Sequence, residues 1–205
     1  MHIAISGNIG SGKTSLAVKL AAHYGWQTEF ESVEDNPYLS DFYKDMTKWS
    51  FHLQVFFLQS RINQVKRIQQ NPTSTIQDRT IYEDAHIFAA NLYESNLISK
   101  RDYENYKGLY HSMANYIKPP DLLIYLKADI PKLVDQIEKR GRNYERSIQI
   151  AYLKNLNDLY QKWITEYNLG KLLVIDVNNM NFVDNPEDFS IIVEKIDGEL
   201  FGLFN

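Results

Sequence analysis

Residues 7–14 read Gly7-Asn8-Ile9-Gly10-Ser11-Gly12-Lys13-Thr14 and match the phosphate-binding pattern G-x-x-x-x-G-K-[ST] at every fixed position. A β-prone run over residues 3–6 comes before this loop, and apolar residues recur at helical spacing over residues 15–24. A strand, a glycine loop and the start of a helix let backbone N–H groups and the helix dipole converge on an anion. We therefore predict that these eight residues bind the phosphates of a nucleoside triphosphate, with Lys13 on the outer phosphates and the Thr14 hydroxyl on Mg²⁺.

Strand-like runs alternate with helical runs along the rest of the chain, which predicts an α/β fold with a parallel sheet covered by helices on both faces. Such a three-layer sandwich binds ligands beyond the carboxyl ends of its strands, so residues that follow a strand are the first candidates for function. The five predicted strands are 3–6, 28–30, 74–77, 122–126 and 172–175. Helices are predicted over 15–24, 47–70 and 99–117, after Asp129 and near the C-terminus.

Composition limits the classes of function. The 205 residues suit a single domain, and the net charge of -4 gives no electrostatic basis for binding nucleic acid or a membrane surface. No apolar run approaches membrane-spanning length, and we expect no signal peptide. Cysteine is absent, which is compatible with a reducing compartment, so we expect a cytoplasmic protein.

Acidic residues follow two of the predicted strands. Glu31 comes directly after the second strand, where a carboxylate can accept a proton from a substrate hydroxyl, although its position alone also fits a polar loop residue. Asp78 follows the third strand, the expected place for a carboxylate associated with Mg²⁺, and Arg79 beside it can steady a phosphate. The alternative for Asp78 and Arg79 is a surface ion pair.

The long helix predicted over 47–70 carries Gln54 and Arg61, which lie seven residues apart and share one face. Both side chains offer paired hydrogen-bonding groups that can read the edge of a base, but the helical pattern alone favours a solvated face. Asp84 and Phe88 follow, one helical turn apart, and a single Phe at this spacing is more typical of a core than of a pocket wall.

A basic cluster stands out in an otherwise acidic chain and reads Lys139-Arg140-Gly141-Arg142-Asn143-Tyr144-Glu145-Arg146. Cations packed this densely repel one another unless they are solvated or face anions. In a nucleotide-binding enzyme the pattern indicates a lid whose arginines close over the phosphates and stabilise the transition state. The alternative is a solvated helix end that complements the helix dipole.

Together these motifs make the chain resemble the deoxynucleoside kinase family, most closely its bacterial deoxyadenosine/deoxyguanosine kinase branch, over nearly the whole length. Members transfer the γ-phosphate of a nucleoside triphosphate to the 5′-hydroxyl of a deoxynucleoside. The resemblance implies the P-loop kinase form of the three-layer sandwich, an arginine-rich lid and a homodimer built through the long helices. The motifs that carry it are 7–14, Glu31-Ser32-Val33, Tyr43-Lys44-Asp45, Trp49-Ser50-Phe51 with Gln54, Asp78-Arg79-Thr80 and Arg140-Gly141-Arg142-Asn143-Tyr144-Glu145.

The resemblance implies a role for each matching residue. Glu31 would be the general base that faces the 5′-hydroxyl, Asp78 the acid linked to Mg²⁺, and Arg79 the arginine near the substrate's 5′ end. Arg140 and Arg142 would be lid arginines that neutralise phosphate charge together with Lys13. The implied substrate contacts are Gln54 on the base edge, Arg61 and Asp84 on its far edge, Phe88 stacked on the base, and Tyr43 and Glu145 on the 3′-hydroxyl.

Some positions depart from the family's pattern, and some rivals remain. Gln136 stands where some members carry a further lid arginine, and Tyr144 where some carry an acid. Arg61 and Asp84 argue against thymidine specificity, and the overall similarity favours purine deoxynucleosides, with deoxycytidine as the alternative. A nucleoside monophosphate kinase is the rival enzyme, but a carboxylate at the acceptor end would repel its acceptor phosphate. A GTPase-like switch is the rival from another class, and the chain lacks its Asn-Lys-x-Asp motif.

Overall fold

A parallel sheet between two layers of helices forms the protein in a computed structural model, which describes residues 1–30, 36–142, 145 and 148–202. The strands within these residues are β1 (His2–Gly7), β2 (Gln27–Glu29), β3 (Thr75–Asp78), β4 (Leu122–Lys127) and β5 (Lys171–Asp176). The α-helices there are α1 (Lys13–Tyr24), α2 (Leu39–Lys44), α3 (Met46–Gln70), α4 (Ile81–Glu83), α5 (Ala90–Glu94), α6 (Lys100–Ala114), α7 (Ile130–Arg140), α8 (Ile150–Glu166) and α9 (Pro186–Phe201). A π-helical turn, Asp84–Ala89, joins α4 to α5.

Alternate residues of the central strand β1 point to opposite faces of the sheet and build two separate cores. Ile3 and Ile5 lie in a core with residues of α1, α7 and α9. Ala4 lies in the other core, which includes residues of α3, α6 and α8. Every residue of β1 is buried, because helices cover the strand on both sides. The predicted three-layer α/β fold is therefore confirmed.

The strand order β2-β3-β1-β4-β5 determines where a ligand can enter the fold. All neighbouring strands are parallel. The chain leaves β1 toward β2 on one side of the sheet, whereas it leaves β3 toward β4 on the other side of β1. The loops that follow β1 and β3 therefore diverge and open a crevice at the carboxyl edge of the sheet. Ile5 pairs with Asp78 in the register, so the loop that follows β1 starts beside the end of β3.

The predicted elements agree closely with those observed. Every predicted strand boundary lies within one residue of the observed one. The helix predicted after Asp129 is α7, with Asp129 at the N-cap position and Pro131 in the first turn, although the Asp129 side chain makes no capping hydrogen bond. The prediction lacks α8, a helix of 17 residues, and the short helices α2, α4 and α5. Among the helices that the structure describes, none is long and apolar enough to cross a membrane.

Candidate active site

The phosphate loop, residues 7–14, runs from the end of β1 into α1 and adopts backbone conformations that favour glycine. Gly10 and Gly12 have φ angles of 85° and 93°, in the left-handed region. A Cβ atom at Gly10 would lie 2.7 Å from the Leu133 carbonyl oxygen, and one at Gly12 would lie 2.8 Å from Phe182 Cζ. These two glycines therefore let α7 and the segment before α9 approach the phosphate loop more closely than any other residue would allow.

Asn8 fastens the phosphate loop to the helix behind it. The Lys13 ammonium and the Ser11 amide both donate to the Asn8 carbonyl, at 3.0 and 3.1 Å. The Asn8 side-chain amide donates to Asn157 Oδ1 and to the Leu153 carbonyl of α8, at 3.0 Å in each case. Because Asn8 and Lys13 are both buried, these hydrogen bonds are shielded from water and hold the loop against α8 and the lysine against the loop.

Asp78 ends β3 directly beside the phosphate loop. Its Oδ2 accepts a hydrogen bond from the Thr14 hydroxyl, while its Oδ1 is buried and has no hydrogen-bond partner among the described residues. A buried carboxylate oxygen of this kind, next to a threonine hydroxyl, fits Mg²⁺, which takes most of its other ligands from waters and phosphates. In the described part of the chain, no cluster of three or more His, Cys, Asp or Glu residues could hold a metal ion.

Arg61 connects β3 to the π-helical turn. Its Nη1 donates to the Asp78 carbonyl at 3.1 Å, and its Nε donates to Asp84 Oδ2 at 3.2 Å. The side chains of Arg61 and Asp84 are only 1% and 3% exposed, so the solvated face that the helical pattern favoured is wrong for Arg61. A buried pair of this kind is costly unless its geometry is fixed by further hydrogen bonds, as it is here.

Gln54 lies two turns before Arg61 on α3 and is also buried, with 3% of its surface exposed. The expectation of a solvated face is therefore wrong for Gln54 as well. Its Oε1 has no hydrogen-bond partner in the part of the chain that the structure describes. A buried amide oxygen without a donor costs free energy, which a ligand that supplies an N–H group would recover. Gln54 therefore has the burial and the unused acceptor that a base-reading residue needs.

Arg79 follows Asp78 and is buried, so the predicted alternative of a surface ion pair is wrong. Its φ angle of 71° is uncommon for a residue with a side chain, and such conformations concentrate at functional sites. The guanidinium carbon lies 4.3 Å from the centroid of the Phe88 ring, within reach of a cation–π interaction. The helical turn predicted between Asp84 and Phe88 is π-helical, and Phe88 packs partly against the core.

The basic cluster begins where Gly141, with a φ angle of 68°, ends α7. Arg140 donates from Nε and Nη2 to the two carboxylate oxygens of Glu145, at 3.0 and 2.6 Å. Arg142 Nη1 lies 3.6 Å from the same carboxylate. The structure thus brings both predicted lid arginines to Glu145, the predicted 3′-hydroxyl ligand. Tyr43 lies on α2 with its ring against Phe42, and its pairing with Glu145 stays a prediction.

Glu31 and Tyr144 lie outside the residues that the structure describes. The last described residue before Glu31 is Phe30, whose carbonyl accepts a hydrogen bond from Gln64 Nε2. Gln64 also accepts a hydrogen bond from Arg61 Nη1, at 3.1 Å. Gln64 therefore links the buried Arg61 to the backbone that leads directly into Glu31, a connection that no sequence signal indicates.

Two further residues near the phosphate loop are absent from the prediction. Glu83 is fully buried and completes a capping box with Thr80 at the start of α4. The spacing of Thr80 and Glu83 is a known helix-start signal and could have identified the pair. Tyr160 is also fully buried and lies on α8. The helical spacing that could have revealed this helix is that of Leu153, Leu156, Tyr160 and Trp163.

Comparison with known proteins assigns the family. The family model described as "Deoxynucleoside kinase" matches residues 3–201. The chain belongs to the deoxynucleoside kinase family. This deoxynucleoside kinase is 42% identical over 193 residues to a deoxyadenosine kinase of Dictyostelium discoideum, across 94% of this chain and 78% of that protein. It is 36% identical over 196 residues to a deoxyadenosine/deoxycytidine kinase of Bacillus subtilis, across 95% of this chain and 90% of that protein.

A solved structure shares the fold of this deoxynucleoside kinase. The deoxyadenosine kinase from M. mycoides, with the products dCMP and a flexible dCDP bound, superposes with a TM-score of 0.86 at 30% sequence identity. The match covers 97% of this chain and 100% of that one. The predicted family, fold class and enzyme class are therefore confirmed.

Proposed function

We propose that this kinase transfers the γ-phosphate of ATP to the 5′-hydroxyl of a purine deoxynucleoside, deoxyadenosine or deoxyguanosine, with deoxycytidine as the next candidate. The Dictyostelium relative is named for deoxyadenosine and the Bacillus relative for deoxyadenosine and deoxycytidine. The unused Gln54 oxygen calls for a hydrogen-bond donor, which the exocyclic amino groups of these bases supply. Thymine carries a carbonyl oxygen and a methyl group in place of such an amino group, so it suits this acceptor less well.

The proposed reaction forms a bond between the 5′-oxygen and the γ-phosphorus while the bond from that phosphorus to the bridging oxygen of ADP breaks. Glu31 takes the proton of the 5′-hydroxyl, because an alcohol attacks poorly until its proton is removed. Lys13 and Arg79 compensate the charge on the phosphoryl oxygens, which is the main demand of phosphoryl transfer.

Mg²⁺ would be held by the Thr14 hydroxyl and Asp78, whose buried Oδ1 has no partner among the described residues. When bound, it would supply charge compensation at the phosphates. Arg140 and Arg142 would add to this compensation once they exchange Glu145 for phosphate oxygens. Glu145 would then be available to orient the sugar through its 3′-hydroxyl.

One observation carries the proposal: Asp78 touches both halves of the predicted site. Its carboxylate accepts from Thr14 of the phosphate loop, and its backbone carbonyl accepts from Arg61 of the predicted base-reading pair. A single buried residue at the end of β3 therefore connects the predicted donor half to the predicted acceptor half. This is what a direct transfer between two bound substrates requires.

The test is turnover of the purified protein with ATP and Mg²⁺ on each of four deoxynucleosides and on dAMP, with the products separated by chromatography. We expect 5′-monophosphates from the purine deoxynucleosides, a smaller kcat/KM for deoxycytidine and the smallest for thymidine. Chelation of Mg²⁺ should abolish turnover, and its re-addition should restore it. Turnover of dAMP alone would instead identify a monophosphate kinase, and a preference for thymidine would overturn the assigned base-reading role.

We also propose a cytoplasmic homodimer that acts on small molecules, with no nucleic-acid or membrane partner. The net charge of -4 supports the last part, because binding to phosphate backbones or anionic lipids relies on positive charge.

A further inference from the structure

A buried chain of hydrogen bonds runs behind the phosphate loop and ends at Arg79. The Gly7 amide, at the start of the loop, donates to Glu83 Oε2 at 3.3 Å. The Tyr160 hydroxyl donates to the same oxygen at 2.8 Å. Arg79 Nη1 donates to the Tyr160 hydroxyl at 3.1 Å. Three segments that are distant in sequence thus meet through one carboxylate and one phenol.

The Glu83 carboxylate is surrounded by donors. Its other oxygen, Oε1, accepts from the Thr80 amide at 2.8 Å and from the Thr80 hydroxyl at 3.3 Å. Glu83 and Tyr160 are both 0% exposed, so no bulk water competes for these bonds. Burial, and after it the charge of Glu83, raises the pKa of Tyr160 well above its ordinary value. The phenol therefore stays protonated. Its hydroxyl donates a hydrogen bond to Glu83 and accepts one from Arg79.

We propose that Tyr160 and Glu83 are positioning residues, which hold the Arg79 guanidinium in a fixed place relative to the phosphate loop. This inference rests on the proposed function, in which Arg79 compensates charge on the transferred phosphoryl group. The Phe88 ring supports the same guanidinium from another side, with its centroid 4.3 Å from the guanidinium carbon. The guanidinium is thus placed by a hydroxyl on one side and by an aromatic face on the other.

Stability alone does not account for this arrangement. A fully buried carboxylate is a poor stabilising device, because the cost of removing it from water is large and apolar replacements are often as stable. Here two of its four bonds lead to groups at the reaction site, the Gly7 amide and, through Tyr160, Arg79. Displacement of a catalytic group by about 1 Å can lower a rate on the order of 10²-fold, so the bonds that hold it matter for turnover.

The test is a double-mutant cycle on kcat with Tyr160→Phe, Arg79→Lys and the double variant, measured with ATP, Mg²⁺ and deoxyadenosine. Tyr160→Phe keeps the ring and removes only the bridging hydroxyl. We expect it to lower kcat about tenfold while both KM values stay within about twofold, because binding contacts are intact. In the Arg79→Lys background it should lower kcat by less than about twofold, since residues that act through one another are not additive.

The matched control is Tyr167→Phe, which likewise removes a buried hydroxyl. Unlike that of Tyr160, this hydroxyl has no hydrogen-bond partner among the described residues. The kcat of Tyr167→Phe should equal that of the parent protein in each background, wild type in one and Arg79→Lys in the other. An equal loss from Tyr160→Phe with and without Arg79 would show a structural role only and overturn the proposal, as would a kcat within twofold of wild type. If Tyr160→Phe does not fold, Glu83→Asp is read in the same cycle against the same criteria. Failure of the wild type to phosphorylate any deoxynucleoside would overturn the proposed function instead.

Discussion

At the scale of single residues, Glu31 carries the chemical step of the proposed mechanism. Glu31→Gln keeps the size of the side chain and one acceptor oxygen but removes its ability to take a proton. We expect kcat to fall at least about 100-fold, the usual worth of a general base, with little change in deoxynucleoside affinity. Steady-state kinetics together with calorimetric binding separate the two effects.

Glu34→Gln is the matched control for this prediction, because it makes the same change three residues further along, at a position for which the sequence favours a polar loop residue. It should retain wild-type kcat. Near-normal turnover in Glu31→Gln would remove Glu31 as the base, and a large loss of deoxynucleoside affinity would show that it acts mainly in binding.

Residue types at the candidate site were largely predictable, whereas their partners were not. The sequence identifies Asp78 and Arg61 as candidates from strand ends and helix faces. It cannot show that the Asp78 carbonyl accepts from Arg61, because that contact depends on how α3 packs against the sheet. For the same reason the helical pattern favoured solvent for Arg61, although the residue is buried beside Asp84.

At the scale of elements, the strands were predictable because each is a short apolar run followed by polar residues. Helix α8 was missed although its apolar residues recur at helical spacing, and its N-terminus explains the omission. It begins after Gln149, which makes no side-chain capping hydrogen bond, and no acidic residue lies in its first turn. Both of the usual start signals are therefore missing. The omission of α8 from the prediction affects the candidate site, because this helix supplies Asn157 and Tyr160 to the back of the phosphate loop.

The pairing of β1 with β3 makes stability depend on pH. His2 on β1 forms a hydrogen bond with Gln77 on β3 at 2.9 Å, but burial outweighs this bond and lowers the pKa of His2 from its ordinary value of 6.5. Below pH 6.5 the unfolded chain therefore binds a proton at His2 that the folded chain resists. The free energy of unfolding should fall as the pH drops below 6.5, by at most about 1.4 kcal/mol per pH unit for each such proton.

His2→Gln should reduce this slope between pH 7 and pH 5. Above pH 7 the free energies of unfolding of the variant and the wild type should change with pH in parallel. Some slope should remain, because burial also lowers the pKa of His86. Urea unfolding at several pH values measures both proteins. An unchanged slope in the variant would show that His2 does not contribute.

At the scale of the whole molecule, the two cores and the strand order place the candidate site at one edge of the sheet. Helices α1, α7 and α9 cover one face, and α3, α6 and α8 cover the other. The phosphate loop reaches α7 and the segment before α9 through Gly10 and Gly12, and reaches α8 through Asn8. Both layers therefore meet at the phosphate loop, and α7, which ends at the basic cluster, is one of the helices that approach it closely.

The proposed homodimer through the long helices is the prediction that involves the whole molecule. Tyr116, directly after α6, is 84% exposed, and a dimer that uses α3 and α6 would give this aromatic side chain a surface to cover it. Light scattering at micromolar concentration should give twice the chain mass of 24.0 kDa. Tyr116→Glu should shift the protein toward the monomer, because a charge at an interface must be desolvated without a partner.

Val183→Glu introduces the same charge at an exposed apolar residue just before α9, on the other layer, and should leave the dimer intact. A monomer mass for the wild type at working concentration would contradict the homodimer, and a dimer that withstands Tyr116→Glu would place the interface elsewhere.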